Sequence, residues 1–494
     1  MYCFLRRILL ISFLLQFPQL AFTQDLYYPD SLTTSCNERL ELLKKQFEED
    51  KKSLKQISYK DEREYVENRF QSRFDFYKYS IEAGDFLINS SFEKYIRNLI
   101  DIIVTANPEL KKDYLVFISR SRVPNAFNTG NGNIVVNIGI LDKVENDAQM
   151  MYILCHELSH DHFNHVNASI FMKAKKYMNK EFQSKLKKTL KEEYNVKKKL
   201  KEFILPELFN DMRFSRSDET QADSMGLIFF RKTGFKAAEA LKSMDMLSKI
   251  DEFYSDKKID IKEAINTPTF PFKAEWLTGN HDSSLGTFEK EKKDSLEDSL
   301  KTHPDTKIRR ELLEKLVGND SLTAGKQFLS TREDFDKVHL TSEEENIYST
   351  FLDQNLGRSL FLSTILLNEK PDDPFARIML SWGFSRLAML MKEHKMQLEV
   401  SLPDINYSET YNNYIDFLNQ LTFSDASGIG LAMLPPADER FVKSEEYQAA
   451  NITSYFIKGD KGKAEQLYND YKQNFSKGKY LEHFKPLFIK TTKK

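Results

Sequence analysis

The segment from His156 to His160 has the residue types and spacing of a catalytic metal site. Its two histidines lie four positions apart, so on a helix they share one face and both imidazoles can reach one metal ion. Glu157 is placed to take a proton from a water bound to that metal. Leu154 and Leu158 make the surroundings apolar, where a bound ion would account for the polar groups. The motif therefore predicts a zinc site with His156 and His160 as ligands and Glu157 as general base.

The third zinc ligand is not a histidine that closely follows the motif. Catalytic zinc takes three protein ligands and keeps a fourth position for water, so one more ligand is required. A layout with a third histidine needs glycine at position 163 and histidine at position 166, but the chain has Phe163 and Val166. His162 and His165 are interpreted as helix-end or surface residues.

A downstream pair of acidic residues can complete the site. Glu219 and Asp223 lie four residues apart and would share one face of a helix. Glu219 can bind the metal while Asp223 accepts a hydrogen bond from a ligand imidazole, a common arrangement around zinc. A solvated acidic face is the alternative for such a pair on its own. Together with the histidine motif, the pair predicts one Zn²⁺ per chain, held by His156, His160 and Glu219.

Helices and a few strands are expected to position these residues. The predicted elements before the motif are one or two amphipathic helices at 36–85, a helix at 92–106, and strands at 114–118 and 134–138. An Asn- and Gly-rich turn precedes the second strand. The motif helix is predicted from Asp147 to at least His162, with Asn146 as N-cap and Gln149 completing a capping box.

The rest of the chain also has mainly helical patterns. The predicted elements after the motif are a Lys-rich helical stretch at 173–201, helices at 216–232 and 236–250, an irregular insertion at 278–301, and helices at 348–367, 375–391, 447–457 and 464–475. Gly234 is the predicted C-cap of the helix that carries Glu219. Paired helices with a turn at 458–460 resemble tetratricopeptide repeats, and an ordinary helical bundle is the alternative.

The first residues have the parts of a secretory signal peptide. Arg6 and Arg7 precede an apolar run at 8–17, and small residues follow at 21–23. The run has only about half of the ~20 residues that a membrane-spanning helix needs. We expect cleavage near residue 23 and a periplasmic or secreted protein without a membrane span in the mature chain. An uncleaved anchor, and thus membrane association, is the alternative.

The composition limits the functional class. The 494 residues include 72 basic and 74 acidic side chains, and the net charge of -2 argues against a nucleic-acid-binding protein. Gly and Pro are few, at 17 and 14, which favours helices over an all-β fold. Two cysteines beyond the signal peptide, Cys36 and Cys155, do not define a disulfide framework.

Four elements of the sequence, in order, resemble the zinc metallopeptidase family that includes HtpX, the CAAX prenyl protease and BepA. They are Asn125–Ala126–Phe127 with the strand that follows, the His156–His160 motif, the R-x-x-E-x-x-x-D pattern from Arg216 to Asp223, and His303–Pro304 with Arg309. The resemblance implies an α+β, mainly helical fold with a thermolysin-like zincin core and a small sheet, followed by a C-terminal helical, TPR-like region. The expected segments are a signal peptide at 1–23, an N-terminal helical segment at 24–89, a metallopeptidase domain at 90–318 and a C-terminal helical domain at 319–494.

The resemblance also implies roles for further residues. In this family the strand after the N-A-F turn is an edge strand that pairs with extended substrate. The residues expected to bind substrate in this way are Ile134, Val135, Val136 and Asn137. His303 would act as a catalytic oxyanion stabiliser or as a regulatory fourth metal ligand. Arg309 would act as a structural or transition-state partner, together with Asp223 around the ligands.

The function expected from these observations is that of a zinc endopeptidase acting on extended polypeptides of exported or misfolded envelope proteins. The alternative is a chaperone or assembly factor that binds client proteins through the C-terminal helices, with the zinc site silent or gated by His303. The intact Glu157 favours the enzyme, because a scaffold does not need a base at that position.

Overall fold

The protein is described by a computed structural model. The described residues are 34–110, 113–190, 216–248, 259–278, 306–318, 324–404, 407–438 and 441–488. The predicted signal peptide at 1–23, most of the irregular insertion at 278–301, and His303 lie outside these ranges. These three predictions therefore keep the status of expectations.

The chain has a mainly helical α+β fold, which confirms the expected fold class. The first elements are α1 (Thr34–Ser53), α2 (Lys60–Ala83), α3 (Ser91–Ala106), β1 (Leu115–Ser119), β2 (Ala126–Asn128), β3 (Asn133–Asn137), α4 (Ile138–Leu141), α5 (Asp147–His162), α6 (His165–Tyr177), α7 (Lys180–Leu190), α8 (216–232) and α9 (Ala238–Ser248). The later elements are α10 (Ile261–Ile265), α11 (Thr306–Val317), α12 (Arg332–Leu352), α13 (Leu356–Glu369), α14 (Pro374–Lys392), α15 (Glu409–Gln420), α16 (Phe423–Met433), α17 (Glu445–Lys458), α18 (Lys461–Asn474) and α19 (Leu481–Phe488).

The strand expected to bind substrate lies in the middle of the sheet. The order is β1-β3-β2, with β1 parallel and β2 antiparallel to β3. A central strand has its backbone groups engaged on both sides. The prediction of free backbone groups for β-addition is therefore wrong for the residues Ile134, Val135, Val136 and Asn137. All of β3 is buried, as its run of β-branched residues requires.

The short strand β2 is one of the two edge strands of the described sheet, and β1 is the other. Just beyond β2, Thr129 N–H donates to the carbonyl of Asn133 at 3.0 Å. The backbone groups of Thr129, and of every second residue before it, therefore point toward β3. Backbone groups alternate in direction along an antiparallel strand. The N–H and C=O groups of Ala126 and Asn128 therefore point away from β3. Helix α5 packs against β2, so this edge lies beside the metal motif.

The motif helix α5 begins as the sequence predicts. The Asn146 side chain accepts a hydrogen bond from Gln149 N–H at 3.0 Å and caps the helix. The Gln149 side chain accepts from Glu145 N–H at 2.9 Å instead of from the N-cap amide, so the capping box is only half formed. Every residue from Asp147 to Asp161 is buried, which makes α5 the central helix around which the other elements pack.

The end of α5 is a sharp turn at Phe163 and Asn164. Asn164 has φ 56°, in the left-handed region that asparagine tolerates better than most residues. The chain changes direction there, and α6 starts at His165. His165 is thereby turned back toward the last turn of α5 instead of continuing along its axis.

The helix pair α1 and α2 holds the turn between β2 and β3. Arg73 of α2 donates to the carbonyl of Thr129 at 2.9 Å and pairs with Asp50 of α1 at 2.5 Å. Asp50 also accepts from Asn131 Nδ2 at 2.8 Å. Gly130 has φ +91°, and a Cβ at this position would lie 2.6 Å from Arg73 Nη1. The N-terminal helices therefore pack tightly against the turn next to the edge strand.

The C-terminal helices build a second hydrophobic core. Ile265 and Trp276, which the sequence places in the 90–318 segment, pack into this core. Helix α12 joins the two cores, with Phe335 in the core around α5 and Ile347 in the C-terminal core. The domain boundaries expected from the sequence stay predictions. No helix within the described ranges is long and apolar enough to cross a membrane.

The helix predicted at 348–367 is in fact two helices. Helix α12 ends at Leu352 and α13 starts at Leu356, with Gln354 at φ 59° between them. The predicted break before α18 is confirmed, since Gly459 has φ 93° and Asp460 caps the next helix. The resemblance to tetratricopeptide repeats stays a prediction.

Candidate metal centre

Three side chains on two helices bring their donor atoms together. His156 Nε2 and His160 Nε2 of α5 are 3.1 Å apart. Glu219 of α8 places one oxygen 3.5 Å from the first nitrogen and the other 3.4 Å from the second. Zinc bonds of about 2.0–2.1 Å in tetrahedral geometry separate neighbouring ligand atoms by roughly 3.3 Å. All three residues are buried, and the donor set fits zinc in both spacing and chemistry.

Asp223 and Arg309 form a buried ionic support behind this cluster. Asp223 lies one turn after Glu219 on α8, and its Oδ1 is 2.9 Å from His156 Nδ1. Arg309 of α11 donates to both oxygens of Asp223 at 2.7 Å, and its Nη1 is 2.8 Å from Glu219. The structure thus brings together the two residues that the sequence placed around the ligands.

The electrostatics at His156 favour a cation. Burial alone would lower the pKa of His156, but hydrogen bonds to Asp223 and Glu219 outweigh burial and raise this pKa to about 10. Burial would raise the pKa of Asp223, but Arg309 and His156 lower it below the ordinary carboxyl range. A metal cation held by the imidazoles would also be stabilised by the negative charge of these carboxylates.

Glu157 connects the donor cluster to the edge strand. Its side chain is buried, and Oε2 accepts a hydrogen bond from Asn128 N–H at 2.9 Å. This amide is one of the β2 groups that point away from β3. The carboxylate of Glu157 therefore contacts the sheet edge from the helix that carries both histidines, and it interacts electrostatically with His160.

His165 lies beside the cluster, which the sequence did not indicate. Its Nδ1 is 2.9 Å from Nδ1 of His160, and its Nε2 is 3.0 Å from Gln221 Oε1. The interpretation as helix-end residues is confirmed for both, since α6 begins at His165, and His162, the last residue of α5, is exposed and packs against Phe229. The turn-forming Asn164 was the only sequence signal that α5 stops before His165.

Gly226 allows α8 to approach α5 closely. A Cβ built on Gly226 would lie 3.1 Å from both Cα and N of His156, which are backbone atoms that cannot rotate away. Any other residue would require the Glu219 helix and the histidine helix to move apart by a few tenths of an ångström. No sequence pattern singles out Gly226, which lies three positions after Asp223.

We expect Gly226→Ala to lower the free energy of unfolding by about 1–3 kcal/mol, because the added methyl forces the two helices apart. Urea denaturation would measure the change. Gly462→Ala is the matched control, since Gly462 is also helical and the nearest atom to a Cβ placed there is 4.0 Å away. The control should be as stable as the wild type or slightly more so. Equal stabilities of the two variants would contradict the close-approach explanation.

A second group of potential ligands has a different environment. Asp142, His339 and Glu343 place donor atoms near one another, but all three are partly exposed. Lys143 Nζ lies 3.2 Å from Asp142 and already neutralises its charge. His339 Nδ1 and Glu343 Oε2 are 4.0 Å apart on α12. This group lacks the burial that distinguishes the cluster of His156, His160 and Glu219.

Comparison with known protein families agrees with the geometry of the site. The model of peptidase family M48 matches residues 90–317, a range that includes both helices of the donor cluster and Arg309. No curated protein matches the chain. The matched range agrees with the part of the sequence that resembles zinc metallopeptidases. Residues 90–317 are thus similar to peptidase family M48, which supports the zinc metallopeptidase family that the sequence resembles.

Proposed function

We propose that this protein is a zinc-dependent endopeptidase that cleaves extended polypeptides. The match of residues 90–317 to family M48 supports a metallopeptidase. The observation that carries the finer proposal is the position of Glu157. Its carboxylate is next to the donor cluster and also touches the edge strand β2 at Asn128, which is where a general base for an extended substrate must be.

His156, His160 and Glu219 would hold the zinc ion, and Asp223 and Arg309 would keep these ligands in place. Zinc bound there would supply a Lewis acid for the peptide carbonyl and for an attacking water. Glu157 would take a proton from that water at its carboxylate and return it to the leaving amine nitrogen. The hydrogen bond from Asn128 N–H holds one oxygen of Glu157 and orients the carboxylate.

The substrate is proposed to pair with the outer edge of β2. The N–H and C=O groups of Ala126 and the carbonyl of Asn128 point away from β3 and are the groups that an extended chain would add to, while Asn128 N–H donates to Glu157. An interior stretch of a polypeptide can lie along such an edge with both ends projecting beyond it. This geometry supports cleavage within chains more than removal of terminal residues.

The physiological setting is proposed from the sequence. The signal-peptide pattern at 1–23 supports an exported enzyme, periplasmic or secreted, that acts on exported or misfolded envelope proteins. The C-terminal helices would then offer a surface for client proteins. His303 is proposed to stabilise the reaction or to occupy the open metal position, by resemblance to the family.

Removal of the metal should abolish cleavage of an internally quenched peptide that is blocked at both ends. Purified protein treated with a chelator and dialysed is expected to lose activity, and stoichiometric Zn²⁺, but not Mg²⁺, should restore it. His303→Ala is measured in parallel, because activity in this variant alone would indicate a gated peptidase. Cleavage by protein shown by elemental analysis to be metal-free would overturn the proposal, as would zinc-loaded wild type and His303→Ala that both fail to cleave the peptide or casein.

A further inference from the structure

His160 and His165 form a short contact that continues to Gln221. The two Nδ1 atoms are 2.9 Å apart, and the other nitrogen of His165 is 3.0 Å from Gln221 Oε1. The carboxylate of Asp218 lies 3.8 Å from that same nitrogen, which is too far for a hydrogen bond. The side chain of His165 is only 10% exposed, and its ring stacks on Phe163 with centroids 5.5 Å apart. The ring of His165 is therefore fixed on several sides.

The protons in this chain of side chains have only one arrangement if His160 binds a metal. The nitrogen of His160 that faces His156 and Glu219 is Nε2, so Nε2 must carry the lone pair and Nδ1 the proton. His160 Nδ1–H then donates to His165, whose Nδ1 must be unprotonated. His165 therefore carries its proton on Nε2 and donates it to Gln221 Oε1, an oxygen that can only accept.

We propose that His165, held by Gln221, is a positioning residue that fixes the tautomer and orientation of His160 and thereby raises the affinity of the site for zinc. The inference rests on the proposed function, because it assumes that His160 binds zinc. Both histidine ligands would then be oriented by residues of α8. Asp223 contacts His156 directly, whereas Gln221 contacts His160 through His165. Such partners of metal-bound histidines typically contribute about 10- to 100-fold to metal affinity.

Two substitutions of nearly equal shape separate hydrogen bonding from packing. His165→Asn keeps an acceptor oxygen close to the position of Nδ1, and His165→Leu has a methyl group there. Zinc affinity is measured by competition with a chromophoric chelator, which does not depend on cleavage. The melting temperature of each metal-free variant shows whether it is folded. Gln221→Met is a third variant, at an exposed position. Water can replace the lost acceptor there, so a smaller loss of zinc affinity is expected.

We expect His165→Leu to bind zinc about 10- to 100-fold more weakly than the wild type. His165→Asn should stay close to the wild-type affinity, and the two metal-free variants should melt alike. If Leu and Asn both bind as the wild type does, or both lose affinity equally, the inference is wrong while zinc binding by the wild type still stands. If the wild type itself binds no zinc, the proposed function fails first, and the two failures are thus distinguishable.

Discussion

Glu157→Gln is expected to leave zinc bound and to lower kcat for peptide cleavage by about 10²- to 10⁴-fold. Glutamine has the same shape and keeps an oxygen that can accept the hydrogen bond from Asn128 N–H. It cannot take a proton from water, so the attacking water loses its base. Zinc content by elemental analysis and turnover of the blocked peptide would be measured on the same preparation.

Two further variants make this result specific. Glu145→Gln changes an exposed carboxylate just before α5, and it should keep both zinc and activity. Glu219→Gln changes a proposed ligand, and it should lose zinc and activity together. A zinc-loaded Glu157→Gln protein with wild-type turnover would exclude Glu157 as the general base.

Arg309→Met is expected to lower the free energy of unfolding by about 3–5 kcal/mol, because it removes the guanidinium that pairs with the buried carboxylates of Asp223 and Glu219. Chemical denaturation of metal-free protein would measure this loss. The stabilisation by Asp223 is present above the ordinary carboxyl pKa, since its folded-state pKa is lowered, and it disappears as the pH falls through that folded-state value. The difference between variant and wild type should therefore shrink in acid.

The neighbouring Arg310 provides a matched control. It pairs with Asp245 and Glu314 at the surface, so Arg310→Met should cost less than about 1 kcal/mol. If both arginine variants lose the same free energy of unfolding, the buried ion pairs of Arg309 contribute no more to stability than the surface pairs of Arg310.

The residues of the metal cluster were predictable because their spacing is local. His156 and His160 share a helix face by their separation alone, and the same rule places Asp223 behind Glu219 on α8. The pairing of α5 with α8 involves close packing at Gly226, and this packing cannot be predicted from a single sequence. The two motifs were linked in advance by the need for a third zinc ligand and by the resemblance to a family.

The errors and omissions arose where the structure depends on long-range pairing or on a change of chain direction. A β-prone run does not reveal whether its strand is central or at an edge, so the sequence assigned to 134–137 the role that is now proposed for β2. His165 lies five residues after His160, on a different face if the helix continued, and it reaches His160 only because the chain turns at Asn164. The break at Gln354 likewise occurs without glycine or proline.

Helices α1 and α2 contact the β2–β3 turn, although both helices lie outside the range that matches the family. Arg73 and Asp50 lie before residue 90, where the family match begins, yet they fix the backbone next to the proposed substrate strand. The residues that fix the geometry of the site therefore extend beyond the range that matches the family. We expect substitutions in these two helices to change the proposed substrate binding without altering the metal ligands or Glu157.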